Sequence, residues 1–237
     1  MNVTRCFLAG LALFFVFPLA EARAAGQKRA AEGTSQDKLL RQLAARVQHL
    51  EDVIEIQTLQ AQYGYFLFTQ NYAGIVERCF AKRASGIEIE FSDSGVYKGV
   101  EGVRRLFKAF EENKNVPGFF TLHMTVDPYI VIAKDGQSAR SVWLSPGATA
   151  NSAKARWVWG PYYVDYVRED GKWRIKRSVF APLFRNEFEK SWLESTDPGT
   201  VTRGLSSKPD GPPSIYRPFD KNKTNLFKDY PALPEPY

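Results

Sequence analysis

The stretch LHMTVDPYIVI, residues 122–132, sets one of the chain's two histidines in apolar company just ahead of an Asp-Pro. An imidazole titrates near neutrality, so a histidine close to an aspartate is a minimal proton-transfer unit. On one continuous strand His123, Thr125 and Asp127 share a face, and Leu122, Met124 and Val126 share the other. Such a polar face is either exposed surface or the lining of a polar pocket. Two later segments add candidates. In WVWGPYYVDYV the residues Trp157, Trp159, Tyr163 and Asp165 fall on one face. In WRIKRSV, Arg177 is the charged member of an otherwise inward row with Trp173, Ile175 and Val179. A buried arginine needs a carboxylate, a phenolate or a ligand; Asp165 and Asp127 are candidates for a structural pair. QYGYFLF supplies Tyr63 and Tyr65, two residues apart and so on different sides of a helix. Tyr63 continues the stripe through Ile56 and Leu59 and is the one expected to face inward.

What is missing narrows the chemistry. His49, in VQHLEDV, sits among charges and reads as a surface residue. No His-x-His, His-Glu-x-x-His or carboxylate cluster has metal-ligand spacing. No Gly-rich phosphate cradle follows a strand, and Gly-x-Ser-x-Gly is absent, which argues against nucleotide, nicotinamide and serine-hydrolase chemistry. No metal and no cofactor are expected.

The 237 residues carry a formal net charge of +6. The start, Arg5 followed by CFLAGLALFFVFPL and then Ala22-Arg23-Ala24, has the order of a secretory signal, so residues 1–24 are expected to be a leader and the protein to be exported, to a bacterial periplasm. The apolar run is too short to span a membrane with confidence, so no stable span is expected after cleavage. Without the leader the charge is +5, and Cys79 is the only cysteine, so no disulfide forms within the chain. The basic residues are scattered beside acidic ones rather than clustered with stacking residues, which argues against nucleic acid as a partner.

The elements that must position the candidates follow. Residues 25–34 read as a polar linker. A helix is expected from Ser35, capped by Thr34 or Ser35, through Phe68, about 50 Å at 1.5 Å per residue. Leu40, Leu43, Val47, Leu50 and Ile54 make two heptads of apolar seam, too short to demand a coiled coil but suited to a partner helix. After Ile54 the stripe changes phase to Ile56, Leu59 and Tyr63, facing a different surface. A second helical piece over Ala73–Ala81, a strand in IEIEF, a turn at SDSG and an amphipathic helix in VEGVRRLFKAFEEN come next. The remainder reads as strands over Phe119–Ala133, Ser138–Leu144, Arg156–Arg168 and Trp173–Phe184, joined by KDGQ, a loop through SPGATANSAKA, and EDGK. The class is α+β. The tail, residues 196–237, carries eight of the chain's 14 prolines. Its anchors Tyr216, Phe219, Leu226, Phe227, Tyr230 and Tyr237 suggest that it lies across the domain or across a neighbouring subunit. The sequence Asn222-Lys223-Thr224 fits an N-glycosylation acceptor.

Four segments, LEDVIEIQTLQAQYGYFLF, GVYKGVEGVRRLF, LHMTVDPYIVIAKDGQSARSVW and YYVDYVREDGKWRIKRSVF, arrive in the order seen in the SnoaL-like branch of the NTF2-like superfamily. The chain resembles that family over about residues 48–184. The resemblance implies an NTF2-like cone, a curved antiparallel sheet covered by helices with a deep pocket inside, as a homodimer or homotrimer; with its N-terminal helical extension the domain is expected over residues 35–195. Family members include scytalone dehydratase, bile-acid 7α-dehydratase and enzymes that release formaldehyde from lignin-derived diarylpropanes, all without a cofactor. The resemblance places Tyr63 on the family's helix tyrosine and His123 on the histidine of the central strand. Where the bile-acid motif carries an aspartate five residues after the tyrosine, this chain has Phe68; Asp127 or Asp165 would have to replace it.

The expected function is therefore a cofactor-independent lyase acting on a hydroxylated aromatic or polycyclic small molecule, by dehydration or retro-aldol loss of formaldehyde. His123 would be the base or proton shuttle, Tyr63 the donor to a developing oxyanion, Asp127 the group orienting His123, and Arg177 the holder of a phenolate. Trp143, Trp157 and Trp159 would supply flat walls, with Tyr163, Tyr65, Phe68 and Asp165 completing the binding set. An isomerase or cyclase in the same pocket, or a periplasmic binding protein without catalysis, are the alternatives.

Overall fold

The computed structural model describes residues 17–151, 153–194, 205–225, 227–228 and 230–237. The leader expected over 1–24 lies outside the described residues as far as residue 16, as do residues 195–204 of the junction into the tail and the anchor Leu226. The chain forms two compact units, residues 1–50 and 51–237. The described part of the first is a single helix, because α1 runs from Phe17 to Phe68. The helix therefore does not begin at Thr34 or Ser35, and residues 25–34, expected as a polar linker, are helical. EARAAGQKRAAEG is dominated by Ala, Glu, Lys and Arg, strong helix formers, and these outweigh its glycines.

In the second unit α1 buries Ile56, Leu59, Gln60, Tyr63, Phe66 and Leu67, a stripe at helical spacing. Asp52 fixes its start: the Trp173 indole N–H donates to Asp52 Oδ1 at 3.2 Å, Arg168 pairs with the same oxygen, and the Arg168 guanidinium lies 4.7 Å over the Trp173 ring. A helical turn, α2 (Tyr72–Gly74), runs into a π-turn over Ile75–Cys79. A hairpin follows, β1 (Glu88–Phe91) and β2 (Gly95–Lys98), then α3 (Gly99–Asn113), which buries Val103, Leu106, Phe107 and Phe110.

The strand once expected over Phe119–Ala133 is two: β3 (Phe120–His123) and β4 (Val126–Ile132). Asp127 takes φ 47°, and the β4–β5 register shifts between Val126 and Tyr129. Pro128 cannot donate to a ladder, so the chain breaks step there. Beyond it, β5 (Ser138–Asn151) and β6 (Lys154–Glu169) pair along their whole length, so SPGATANSAKA is largely strand and not loop. Next come β7 (Lys172–Phe180) and β8 (Phe184–Glu187), parted at Ala181-Pro182.

The expected antiparallel cone is corrected. The class is α+β, but the sheet is mixed: β1 pairs parallel with β7, Glu88 opposite Arg177 and Phe91 opposite Phe180. The strand order β2-β1-β7-β6-β5-β3, with β4 on β5 and β8 on β6, has free ends at β2 and β3 and does not close. Alternation reveals that IEIEF is a strand but not the direction of the neighbour it will pair with. A parallel partner needs a long crossover, here β2, α3 and β3–β6, which no local pattern announces.

The tail lies across the domain. Val96 and Gly211 form a bridge that covers the free edge of β2. The Tyr97 hydroxyl donates to the Ser207 carbonyl oxygen at 3.2 Å, and Arg105 pairs with Asp210 at 2.6 Å. Glu90, a fully buried carboxylate on β1, accepts from the Ser214 backbone N–H at 2.8 Å and from its hydroxyl at 2.5 Å. At the chain end the Arg140 guanidinium sits 4.4 Å over the Tyr237 ring. Gly95, at φ 152°, has no room for a side chain, since a Cβ would stand 2.5 Å from the Gly211 oxygen.

Candidate active site

Strand register places the site. His123 on β3 stands opposite Gly147 on β5, Gly147 opposite Val158 on β6, and Val158 opposite Arg185 on β8. Directly opposed residues point to the same face, so His123 and Arg185 belong to one row of one face. Two rows on, that face carries Trp143, Tyr162 and Phe180, all buried. The His123 ring meets Phe180 edge-on at 4.9 Å and Tyr162 at 6.4 Å, while Tyr162 and Phe180 lie 4.7 Å apart. From α1, Tyr63 approaches Tyr162 edge-on at 6.2 Å. The helix runs close to β3 at Gly64, where a Cβ would be in ordinary contact, 3.4 Å, with the His123 carbonyl oxygen.

A buried ion pair borders this aromatic cluster. Arg185 donates from Nε to Asp93 Oδ2 at 2.9 Å, and the two side chains are only 4% and 3% exposed. Asp93 comes from the turn between β1 and β2. Asp93 Oδ1 and Arg185 Nη2 make no hydrogen bond, and neither do His123 Nδ1 and Ser145 Oγ. Buried polar atoms are almost always satisfied, so four such atoms on neighbouring groups form a polar site with unused capacity. Among the described residues no three His, Cys, Asp or Glu side chains gather as a metal site would require.

Burial sets the protonation states. It pushes the His123 pKa down to about 3, with the Arg185 charge adding to the effect, so the imidazole is neutral at pH 7. Burial also holds the Tyr63 and Tyr162 phenols well above their usual range, and the two hydroxyls interact weakly with each other. The site thus offers a neutral base, two phenol donors and a guanidinium in a dry environment. In such surroundings hydrogen bonds to developing charge are worth far more than in water.

The other candidates are distributed differently. Asp127 is exposed and out of phase with His123. Arg177 is engaged by Glu88 at 2.6 Å and by Ser214 at 3.1 Å, with Glu90 at 3.7 Å. Trp143 is buried, its indole N–H donating to Ser141 Oγ at 2.7 Å beside Tyr166, whose hydroxyl reaches Gln60 at 3.0 Å. Trp157 and Trp159, 42% and 47% exposed, lie on the opposite face of β6, where Trp159 stacks on Phe184 and Phe184 on Trp192. Tyr163 and Asp165 share that face half-buried, and burial raises the Asp165 pKa. Tyr65 and Phe68 are exposed.

Tyr162, Asp93 and Arg185 are the members that sequence reasoning missed. In WVWGPYYVDYV both phases are rich in apolar residues; the inward one is Val158, Tyr162, Val164, Tyr166. The charged Asp165 on the odd phase was the signal that this phase faces outward. Arg185 falls after Ala181-Pro182, beyond the expected strand end. Asp93 sits in a turn, where aspartates are ordinary.

Gly147 is the tightest point of the row: a Cβ there would lie 2.7 Å from the Leu122 oxygen and 3.1 Å from His123 Nδ1. Gly147→Ala is expected to displace the imidazole and to cost about 1–3 kcal/mol of stability. Urea unfolding of that variant beside Gly211→Ala, an open position without a left-handed backbone, would read the difference.

Residues 48–179 match the SnoaL-like domain family. Comparison with curated proteins gives no match. Among solved structures, the chain is similar to the hexachlorocyclohexane dehydrochlorinase LinA-type3 of Novosphingobium barchaimii, at 13% identity and TM-score 0.52, covering 62% of this chain and 96% of that one. A type 2 LinA dehydrochlorinase gives 15% and 0.52, covering 65% and 99%. A provisionally assigned scytalone dehydratase of Novosphingobium aromaticivorans gives 14% and 0.51, covering 60% and 91%. At these identities the likeness is one of fold.

Proposed function

Since the chain belongs to the SnoaL-like domain family, we propose that it is a cofactor-independent lyase whose base is His123, acting on a hydroxylated aromatic small molecule. The observation that carries this reading is a neutral, buried imidazole with an unpartnered Nδ1, against the Phe180 and Tyr162 rings and within the field of Arg185. In a dehydration, His123 takes a proton from carbon, the C–H electron pair becomes the new double bond, and the C–O bond breaks. The leaving hydroxyl takes a proton from Tyr63 or Tyr162. In a retro-aldol step, His123 takes the proton of the hydroxymethyl O–H, and the O–H pair becomes the carbonyl of formaldehyde. The C–C pair passes into a conjugated carbonyl or quinone-methide acceptor of the substrate, and the resulting anion takes a proton from Tyr63 or Tyr162.

Arg185 would hold the oxyanion on the substrate. That role, assigned from the sequence to Arg177, moves because Arg177 is held by Glu88 and Ser214. An oxyanion paired with Arg185 also removes a charge that opposes protonation of His123, so the base gains proton affinity when substrate is bound. Names of relatives that end in dehydratase or dehydrochlorinase support elimination chemistry in this fold. Export through the leader over residues 1–24 belongs to the same proposal.

The test is incubation without added cofactor against phenolic diols and hydroxylated polycycles, followed by mass spectrometry. Loss of water or of formaldehyde supports the reading and separates C–O from C–C cleavage. A product of unchanged mass means isomerisation or cyclisation; binding without turnover of any substrate means a binding protein. Either would sink the lyase reading.

A further inference from the structure

The apolar seam of α1 keeps a heptad spacing over residues 40–54. Leu40, Leu43, Val47, Leu50 and Ile54 are all exposed, each by 45% or more. At its last member the seam is off the buried stripe: Ile54 is 61% exposed, whereas Ile56, two residues on, is fully buried. Assigning Leu40 to position a makes Val47 and Ile54 the other a residues, and Leu43 and Leu50 the d residues. Two of the three a residues are β-branched and both d residues are leucine, a pattern that favours two parallel strands over three or four. Arg46 then occupies g and Glu51 the following e, both exposed. In a parallel, in-register pair each g residue meets the e residue five positions later on the other helix. Arg46 of each chain would therefore face Glu51 of its mate, twice by symmetry. Two antiparallel copies would instead bring g near g and e near e, arginine near arginine and glutamate near glutamate.

We propose that residues 40–54 of α1 pair with the same residues of a second copy of this chain as a short, parallel, in-register coiled coil. The occupant is fixed by self-complementarity: the seam and its flanking charges match themselves in this arrangement. Two heptads alone are marginal in water, so the association is expected to depend on concentration.

Sedimentation of the purified full chain over a concentration series is the test. A reversible dimer is expected, and L43E combined with L50E should abolish it while the far-ultraviolet spectrum of the domain persists. R46E or E51R alone should weaken the dimer roughly tenfold by setting like charges across both flanks, and the two together should restore it. L50C should cross-link on oxidation, beyond any background from the parent chain with its Cys6 and Cys79, because only a parallel register sets position 50 against itself. A monomer at every concentration, a trimer, an oligomer indifferent to L43E with L50E, or a double charge swap that fails to rescue would each overturn the proposal.

Discussion

Asp93→Ala is expected to destabilise the fold by about 3–5 kcal/mol, among the largest effects a single substitution in this chain should have. The substitution leaves Arg185, 4% exposed, as a buried charge with no carboxylate, and a guanidinium cannot shed its proton to escape. Arg185→Met should cost less, because the Asp93 carboxyl left behind can take up a proton. The pair is not a source of net stability, though. Desolvating both ions offsets most of their attraction, so Asp93→Leu with Arg185→Met should recover most of the loss. Urea unfolding of the three variants reads all of this. A cost below about 1 kcal/mol for Asp93→Ala would mean that Arg185 reaches water or another acceptor, and the dry-site description would be wrong. The double variant separates stability from function: it should fold and yet lack the oxyanion holder.

Stability should also fall on acidification in a window that belongs to His123. A free histidine titrates near pH 6.5, whereas burial and Arg185 bring this one down to about 3. As the pH falls below 6.5 the unfolded chain binds a proton that the folded chain refuses. The contribution is therefore complete above pH 6.5 and declines toward pH 3, by roughly 1–1.5 kcal/mol per pH unit. The other histidine, His49, is exposed and does not share this burial. Thermal or urea midpoints at pH 7 and pH 5 should differ measurably in the parent chain and much less in His123→Gln. Equal slopes in the two proteins would show that the imidazole is accessible to protons in the folded state.

The change of stripe phase between Ile54 and Ile56 marked two faces of α1, and the structure buries Ile56 while leaving Ile54 exposed. His123 was legible as the unusual residue of an apolar strand. Its neighbours were not, because they come from separate strands, a turn and a helix that only the register of β5, β6 and β8 brings together. The break at Met124-Thr125 undid the inference that Asp127 shares the His123 face, since alternation holds only within an unbroken strand. The phase of β6 was misread because aromatic residues populate both of its faces, and periodicity then carries no sign. The parallel β1–β7 pair lay beyond any local pattern, its partners separated by α3 and five strands.

The measurement that bears most directly on the central claim compares turnover by the parent chain and His123→Ala, on whichever panel compound the parent cleaves. General base catalysis of this kind contributes typically a hundred- to ten-thousand-fold, so His123→Ala should lose about that factor while keeping its circular dichroism and its affinity for product. If His123→Ala cleaves the same compound at an undiminished rate, the imidazole is a core residue and the base lies elsewhere.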